Sequence, residues 1–224
     1  MAEQSPRHFK DRLYEQFARV TAAVASPRRL ELLELLAQGE RTVESLANQA
    51  GLSVANTSRH LQILRQAHLV ESEKQGLFVI YRLAGEDVFS LLQSIRAIAE
   101  QHLAELDRLV QSYFNDRDEL EPISREALLN QVQAGTVLVL DVRPVEEYQA
   151  GHLPEALSIP LEELEKRLAD LPADKEIVAY CRGPYCVFAY QAVERLRAQG
   201  GKARRLVDGF PEWKAAGFPV EVSA

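Results

Sequence analysis

Apolar residues recur along 9–24 at Phe9, Leu13, Phe17, Val20 and Val24, a spacing of three and four that predicts an amphipathic helix. Ser26-Pro27 then supplies a cap followed by proline at the first helical position, predicting a helix over 28–38. Its Leu30, Leu32, Leu33, Leu35 and Leu36 leave little polar surface, so it is central to a core, and Gly39 ends it. Thr42-Val43-Glu44-Ser45 has the shape of a weak capping box and starts a helix over 43–50. Gly51-Leu52-Ser53 makes the turn into a further helix over 54–68, and helix, glycine turn and helix together give a helix-turn-helix pattern. Alternation over 69–73 and 77–83, joined across Lys74-Gln75-Gly76, predicts a β-hairpin in the position of a wing.

A long helical pattern follows over 87–114, with Val88, Leu91, Leu92, Ile95, Ile98, Leu103, Leu106 and Val110 apolar. A stripe of that length suggests pairing with a second chain. The polar run 115–122 reads as a linker. Beyond it the pattern changes: a helix over 124–133, an apolar strand over 137–143, a short helix from Glu146-Glu147-Tyr148, a segment over 161–168 and a strand over 176–180. Val187, Phe188, Ala192, Val193 and Leu196 then recur at helical spacing up to Gly200-Gly201, before a strand over 203–207 and a helix start at Pro211-Glu212-Trp213. Strands alternating with helices indicate an α/β fold with a parallel sheet. Two domains are therefore expected: 1–118, mainly α with a winged helix-turn-helix, and 119–224, α/β.

Composition sharpens this division. The chain of 224 residues carries a net charge of −7, unfavourable at first sight for nucleic acid. Residues 1–85, however, hold 11 Lys/Arg and 9 Asp/Glu, whereas residues 119–224 hold 12 and 17. No acid occurs between Glu44 and Glu71, a stretch that includes Asn56, Thr57, Ser58, Arg59 and His60 at the opening of the second helix of the pair. An acid-free surface in so acidic a chain fits contact with phosphates, and Lys74, at the tip of the wing, can reach a DNA backbone or minor groove. No run approaches a membrane span, the N-terminus lacks the apolar core of a signal peptide, and two cysteines give no disulfide framework. A cytoplasmic location with reduced thiols is the expectation, without membrane contact.

These N-terminal residues resemble the ArsR-type winged-helix repressors over about 10–118, through Leu30 to Leu36, Leu46-Ala47, Gly51-Leu52-Ser53, Ser58-Arg59-His60-Leu61 and Leu69-Val70. The resemblance implies that Asn56, Thr57, Ser58, Arg59 and His60 face the major groove, and that a homodimer binds a near-palindromic operator in double-stranded DNA. Many such proteins sense metals. Here Thr42 and Glu44 stand where one site needs thiolates, and Phe89 and Leu91 stand where the other needs Asp and His, leaving only His102 and Glu105. No metal site is expected, and no cofactor.

Both cysteines lie in Cys181-Arg182-Gly183-Pro184-Tyr185-Cys186, between the 176–180 strand and the following helix. Unpaired N–H groups at a helix start favour an anion, so a Cys181 thiolate is favoured there, and the neighbouring Arg182 pushes the same way. Residues 122–220 look like a rhodanese domain, on Leu140-Asp141-Val142-Arg143, Glu147-Tyr148, Gly151-His152-Leu153-Pro154-Glu155-Ala156, Tyr180-Cys181-Arg182-Gly183 and Asp208-Gly209-Phe210-Pro211-Glu212-Trp213. The resemblance implies that Cys181 accepts a sulfane sulfur as a persulfide, cradled by the loop through Gly183, Pro184 and Tyr185. Asp141, Arg143, His152 and Asp208 are assigned to holding strand ends and turns. Cys186 departs from the small residue or hydroxyl usual at the loop's end and suggests a dithiol switch with Cys181, provided their Cα atoms come within roughly 7 Å.

The reading that unites the halves is a DNA-binding transcriptional regulator that accepts or senses reactive sulfur at Cys181, with a small donor such as thiosulfate, a persulfide or a polysulfide. Two alternatives stay open: a sulfurtransferase enzyme using the winged helix mainly to dimerise, and a regulator linked to arsenate or another oxyanion. Whether Cys181 supports enzymatic turnover is left undecided by the residues.

Overall fold

The computed structural model describes residues 5–114, 122–172 and 175–223. It forms two compact units, which divide between Ile95 and Arg96. That is earlier than the boundary expected near 118, because the end of the long helical pattern groups with the second unit. The expected linker, apart from Pro122, lies outside the described residues.

In the first unit, α1 (Pro6–Val24), α2 (Pro27–Ala37), α3 (Val43–Gln49) and α4 (Val54–Gln66) precede a hairpin of β2 (Val70–Gln75) and β3 (Phe78–Leu83). A two-residue strand, β1 (Arg41–Thr42), completes the antiparallel order β1-β3-β2. Leu32, Leu33, Leu36, Leu46, Leu61 and Leu64 form the core with Val70, Tyr81 and Val88. The leucine-rich α2 is thus central, as its pattern predicts. The hairpin turns on Gly76 and Leu77, with Gly76 at φ +61°, a conformation that favours glycine. Lys74 is therefore not at the tip; it lies within β2, opposite Val79.

The long helix predicted over 87–114 is two helices, α5 (Glu86–His102) and α6 (Ala104–Phe114), separated at Leu103. Phe114 at the end of α6 stacks on Tyr190, with centroids 3.8 Å apart, one reason this segment belongs to the second unit. There α7 (Arg125–Gln133), β4 (Val137–Asp141), α8 (Val145–Ala150), β5 (Leu157–Ser158), β6 (Glu176–Tyr180), α9 (Val187–Ala198), β7 (Ala203–Arg205) and α10 (Phe210–Ala215) follow. The segment 161–168 contributes only short 3-10 turns. The sheet is parallel throughout, in the order β5-β4-β6-β7. Alternation along β6 feeds two cores: Ile177 and Ala179 pack with α9 residues Ala192, Val193 and Leu196, while Val178 and Tyr180 pack with Leu128, Phe210 and Trp213. The loop after β6 consequently opens at the carboxyl edge of the sheet, flanked by both cores.

Candidate functional site

The strand β6 ends at Tyr180, Cys186 caps α9, and the six residues 181–186 close into a ring because Cys181 and Cys186 are joined by a disulfide, Cα atoms 6.0 Å apart. The two cysteines differ in burial. Cys181 is 1% exposed and belongs to the core under α9, whereas Cys186 is half-buried. Inside the ring the Cys186 N–H donates to the Gly183 carbonyl at 3.1 Å, and the Cys181 carbonyl accepts from the Phe210 N–H at 3.0 Å. Gly183 is buried, Pro184 half-buried and Tyr185 exposed. Gly209 presses on the loop from below: a Cβ there would sit 2.2 Å from the Gly183 nitrogen. Only glycine permits that approach.

Arg182 is paired with a buried carboxylate. Its Nη2 lies 2.6 Å from Glu147 Oε1 and its Nε 3.1 Å from Glu147 Oε2, and the Glu147 side chain has no exposure. The cation expected to favour a Cys181 thiolate is thus engaged with a carboxylate on α8. One of the N–H groups expected to cradle an anion, that of Cys186, is engaged within the ring.

Beneath the loop, Arg143 donates to both oxygens of Asp141, at 3.0 and 2.6 Å, and to the Gly151 carbonyl at 2.7 Å, with both side chains fully buried. Tyr180 also donates to Asp141, and accepts from the Leu153 N–H at 3.2 Å. Burial pushes the Tyr180 hydroxyl well above its ordinary pKa, and the Asp141 charge adds to it. On Arg143 burial opposes the charge, yet Asp141 and Tyr180 outweigh it and hold the guanidinium ionised. His152 stacks on Tyr148, and Asp208 pairs with Arg125 at 3.2 Å. All four residues are engaged in contacts within their own unit.

On the first unit, Ser53 caps α4 by accepting the Asn56 N–H at 3.3 Å. Asn56 and Arg59 are exposed, while Ser58 and His60 are half-buried. Thr57 corrects the expected groove-facing set: it is fully buried and its hydroxyl donates to the Ser53 carbonyl at 3.1 Å. Three residues on from Arg59, Gln62 continues the exposed face, and helical spacing alone would have included it. Burial lowers the His60 pKa, and Arg29, Arg59 and Arg28 lower it further. Lys74 is exposed on the wing, where Arg82 pairs with Glu71 at 2.7 Å and Glu73 at 3.6 Å.

A family description, bacterial regulatory protein of the arsR family, matches residues 26–72, and a rhodanese-like domain matches residues 124–216. The chain is 46% identical over all its 224 residues to the HTH-type transcriptional regulator Rv0324 of Mycobacterium tuberculosis, covering 97% of that protein. The chain belongs to the ArsR family of bacterial regulators. This ArsR-family regulator carries a rhodanese domain as its second half, which is 34% identical over 85 residues to a sulfurtransferase of Allochromatium vinosum (38% of this chain, 78% of that protein). Among solved structures, the homodimeric winged helix-turn-helix DNA-binding domain of Mb0332 from Mycobacterium bovis is 45% identical, covering 47% of this chain and 95% of that one, with a TM-score of 0.42. No described helix is long and apolar enough to cross a membrane.

Proposed function

We propose that this regulator binds its operator as a homodimer in the cytoplasm and that sulfane sulfur, received at Cys181, alters that binding. The observation that carries the reading is the Cys181–Cys186 pair: two sulfurs within bonding reach on a strand-to-helix loop, in a chain whose other half is an ArsR-type winged helix. Starting from the dithiol, the Cys181 thiolate attacks the outer sulfur of thiosulfate. The bond to the sulfonate sulfur breaks, sulfite leaves, and a persulfide remains on Cys181. The Cys186 thiol then attacks the Cys181 sulfur, and hydrosulfide leaves with the Cys186 proton. The two cysteine sulfurs supply the two electrons that reduce the sulfane sulfur, and the product is the disulfide. A thiol reductant resets the pair.

DNA binding is supported by the exposed, acid-free face of α4, where Asn56, Arg59 and Gln62 lie with Ser58 and His60 beside them. Lys74 on the wing suits a phosphate. Exposed apolar side chains on α1 (Phe9, Tyr14, Phe17) and α6 (Leu109, Tyr113) favour a dimer, since a monomer gains nothing by showing them to water. The likeness to a sulfurtransferase favours a second reading, repeated sulfur transfer to an acceptor thiol. The oxyanion alternative draws no support from the loop, because Arg182 pairs with Glu147 and the Cys186 N–H with Gly183.

The test is a titration of duplex DNA, selected from a random library by the reduced protein, with reduced and thiosulfate- or polysulfide-treated protein. Intact mass and free-thiol content follow the persulfide and the disulfide on the same samples. The expected change in affinity is roughly 5- to 150-fold, absent in Cys181→Ser. Equal affinities, or the same shift in Cys181→Ser, would sink the sensing reading; multiple turnovers of sulfite release with an unchanged affinity would establish the enzyme instead.

A further inference from the structure

The sulfur loop leans on residues outside the matched rhodanese region of 124–216. Tyr185, next to Cys186, donates to Glu100 Oε1 at 2.7 Å. One helical turn earlier on α5, Arg96 Nη2 meets Glu212 Oε1 at 2.6 Å, with only 24% and 5% of the two side chains exposed. The other oxygen of Glu212 accepts the Gly209 N–H at 3.1 Å. Gly209 is the residue whose backbone abuts the peptide joining Arg182 to Gly183. All of these residues belong to the second unit.

Two side chains four apart on one helix face therefore reach the two ends of the same loop. Glu100 holds the Cys186 end directly, through Tyr185. Arg96 holds the Cys181 end through Glu212 and Gly209. Burial first, and then the Glu100 hydrogen bond and charge, push the Tyr185 hydroxyl up to about 12, so it stays protonated and donating throughout the physiological range.

We propose that the final two turns of α5, through Glu100 and Arg96, are the positioning element of the sulfur loop and the route by which its sulfur state alters the helix. This rests on the sulfur-responsive reading above. When a thiol reductant opens the disulfide, two reductant thiols become one external disulfide and Cys181 and Cys186 each regain a proton. The 181–186 ring is then no longer closed covalently. Tyr185 is bonded in sequence to Cys186, so its hydrogen bond to Glu100 depends on which state the pair occupies. The helix that receives this bond begins at Glu86, in the winged-helix unit, and a contact that differs in strength between two states shifts the equilibrium between them.

The experiment uses the full chain as wild type, Glu100→Ala, Glu100→Gln and Arg96→Ala, each reduced or treated with polysulfide. Two quantities are read: conversion of the Cys181–Cys186 dithiol to the disulfide, as loss of free thiols, and the ratio of operator affinities between the two states. Glu100 is exposed, so its variants should fold. Glu100→Ala and Arg96→Ala are expected to form the disulfide as wild type does, while the affinity ratio collapses to within about twofold. Glu100→Gln, which still accepts a hydrogen bond, should restore most of it. Hydrogen exchange of 96–102 should also rise on reduction in wild type and not in Glu100→Ala. Wild-type ratios in both alanine variants, or exchange independent of sulfur state, would overturn the positioning role while leaving sulfur sensing intact. A wild-type ratio of one would remove the sensing reading itself, and this inference with it.

Discussion

Arg182 donates to both oxygens of Glu147, and Glu147 is fully buried on α8. The residue beside Cys181 is therefore a clamp that fastens the loop to the helix before it. Removing the arginine strips the buried Glu147 carboxylate of its two-pronged partner, so Arg182→Ala should destabilise the rhodanese unit by about 3–5 kcal/mol. Arg182→Lys keeps the charge but loses the two-pronged geometry and should fall between. Trp213, the chain's sole tryptophan, is 1% exposed in that unit and reports its unfolding in urea without interference from the winged helix.

Gly209 tests the loop from the other side. A methyl group there meets the Gly183 nitrogen at 2.2 Å and the Arg182 carbonyl carbon at 2.3 Å, backbone atoms that cannot swing away. Gly209→Ala should cost at least about 1–3 kcal/mol by overpacking, and should speed opening of the Cys181–Cys186 bond by dithiothreitol, measured as thiol release against time. An unchanged opening rate would mean that the Gly209 contact does not hold the ring in place.

Much of this architecture is legible in the sequence because the relevant physics is local. Leucines at helical spacing announce α2, and the apolar strand, loop and helix around the cysteines are located correctly from periodicity alone. The long pattern over 87–114 hides its break at Leu103, since apolar spacing continues through it. Thr57 looked available because polarity says nothing about which side of a helix is covered. A buried arginine partner is deducible in principle, because a cation so near a core needs a counter-ion, but nothing nearby in sequence singles out Glu147. Glu100 lies 85 residues from Tyr185 and leaves no local trace at all.

Thr57 and Arg59, two residues apart on α4, should separate stability from recognition. Thr57→Ala removes a buried methyl and a hydrogen bond, and should lower the stability of the winged-helix unit by about 1–2 kcal/mol while the folded protein keeps its operator affinity. Arg59→Ala should leave stability within about 0.5 kcal/mol. It should weaken DNA binding and reduce the slope of log K against log salt by about one if Arg59 meets a phosphate. A loss of affinity without any change of slope would assign Arg59 to a base edge instead.

The unequal burial of the two cysteines predicts the route of reduction. An incoming thiolate reaches half-buried Cys186 more readily than Cys181, which is sealed under α9. The first bond formed should therefore be to Cys186, releasing Cys181 as the thiolate. Brief reaction with glutathione followed by acid quenching and peptide mass mapping should find the adduct on Cys186. An adduct mainly on Cys181 would show that the loop opens before it is attacked.

His60 supplies the pH dependence. Burial and then Arg29, Arg59 and Arg28 hold its pKa below 6.5, so the free protein resists protonating it. For folding the sign is that of a depressed base: the unfolded chain binds the proton more readily, and stability is lost as pH falls from 6.5 through the folded value. If α4 meets DNA as proposed, phosphates set against those arginines would cancel the repulsion that depresses His60. Binding should then take up a proton, and operator affinity should rise as pH falls from 7.5 towards 6. His60→Gln, which keeps a polar side chain but does not titrate, should flatten that slope without abolishing binding. Affinity measured across this range at constant ionic strength gives the answer, and an identical slope in wild type and His60→Gln would place His60 away from the phosphates.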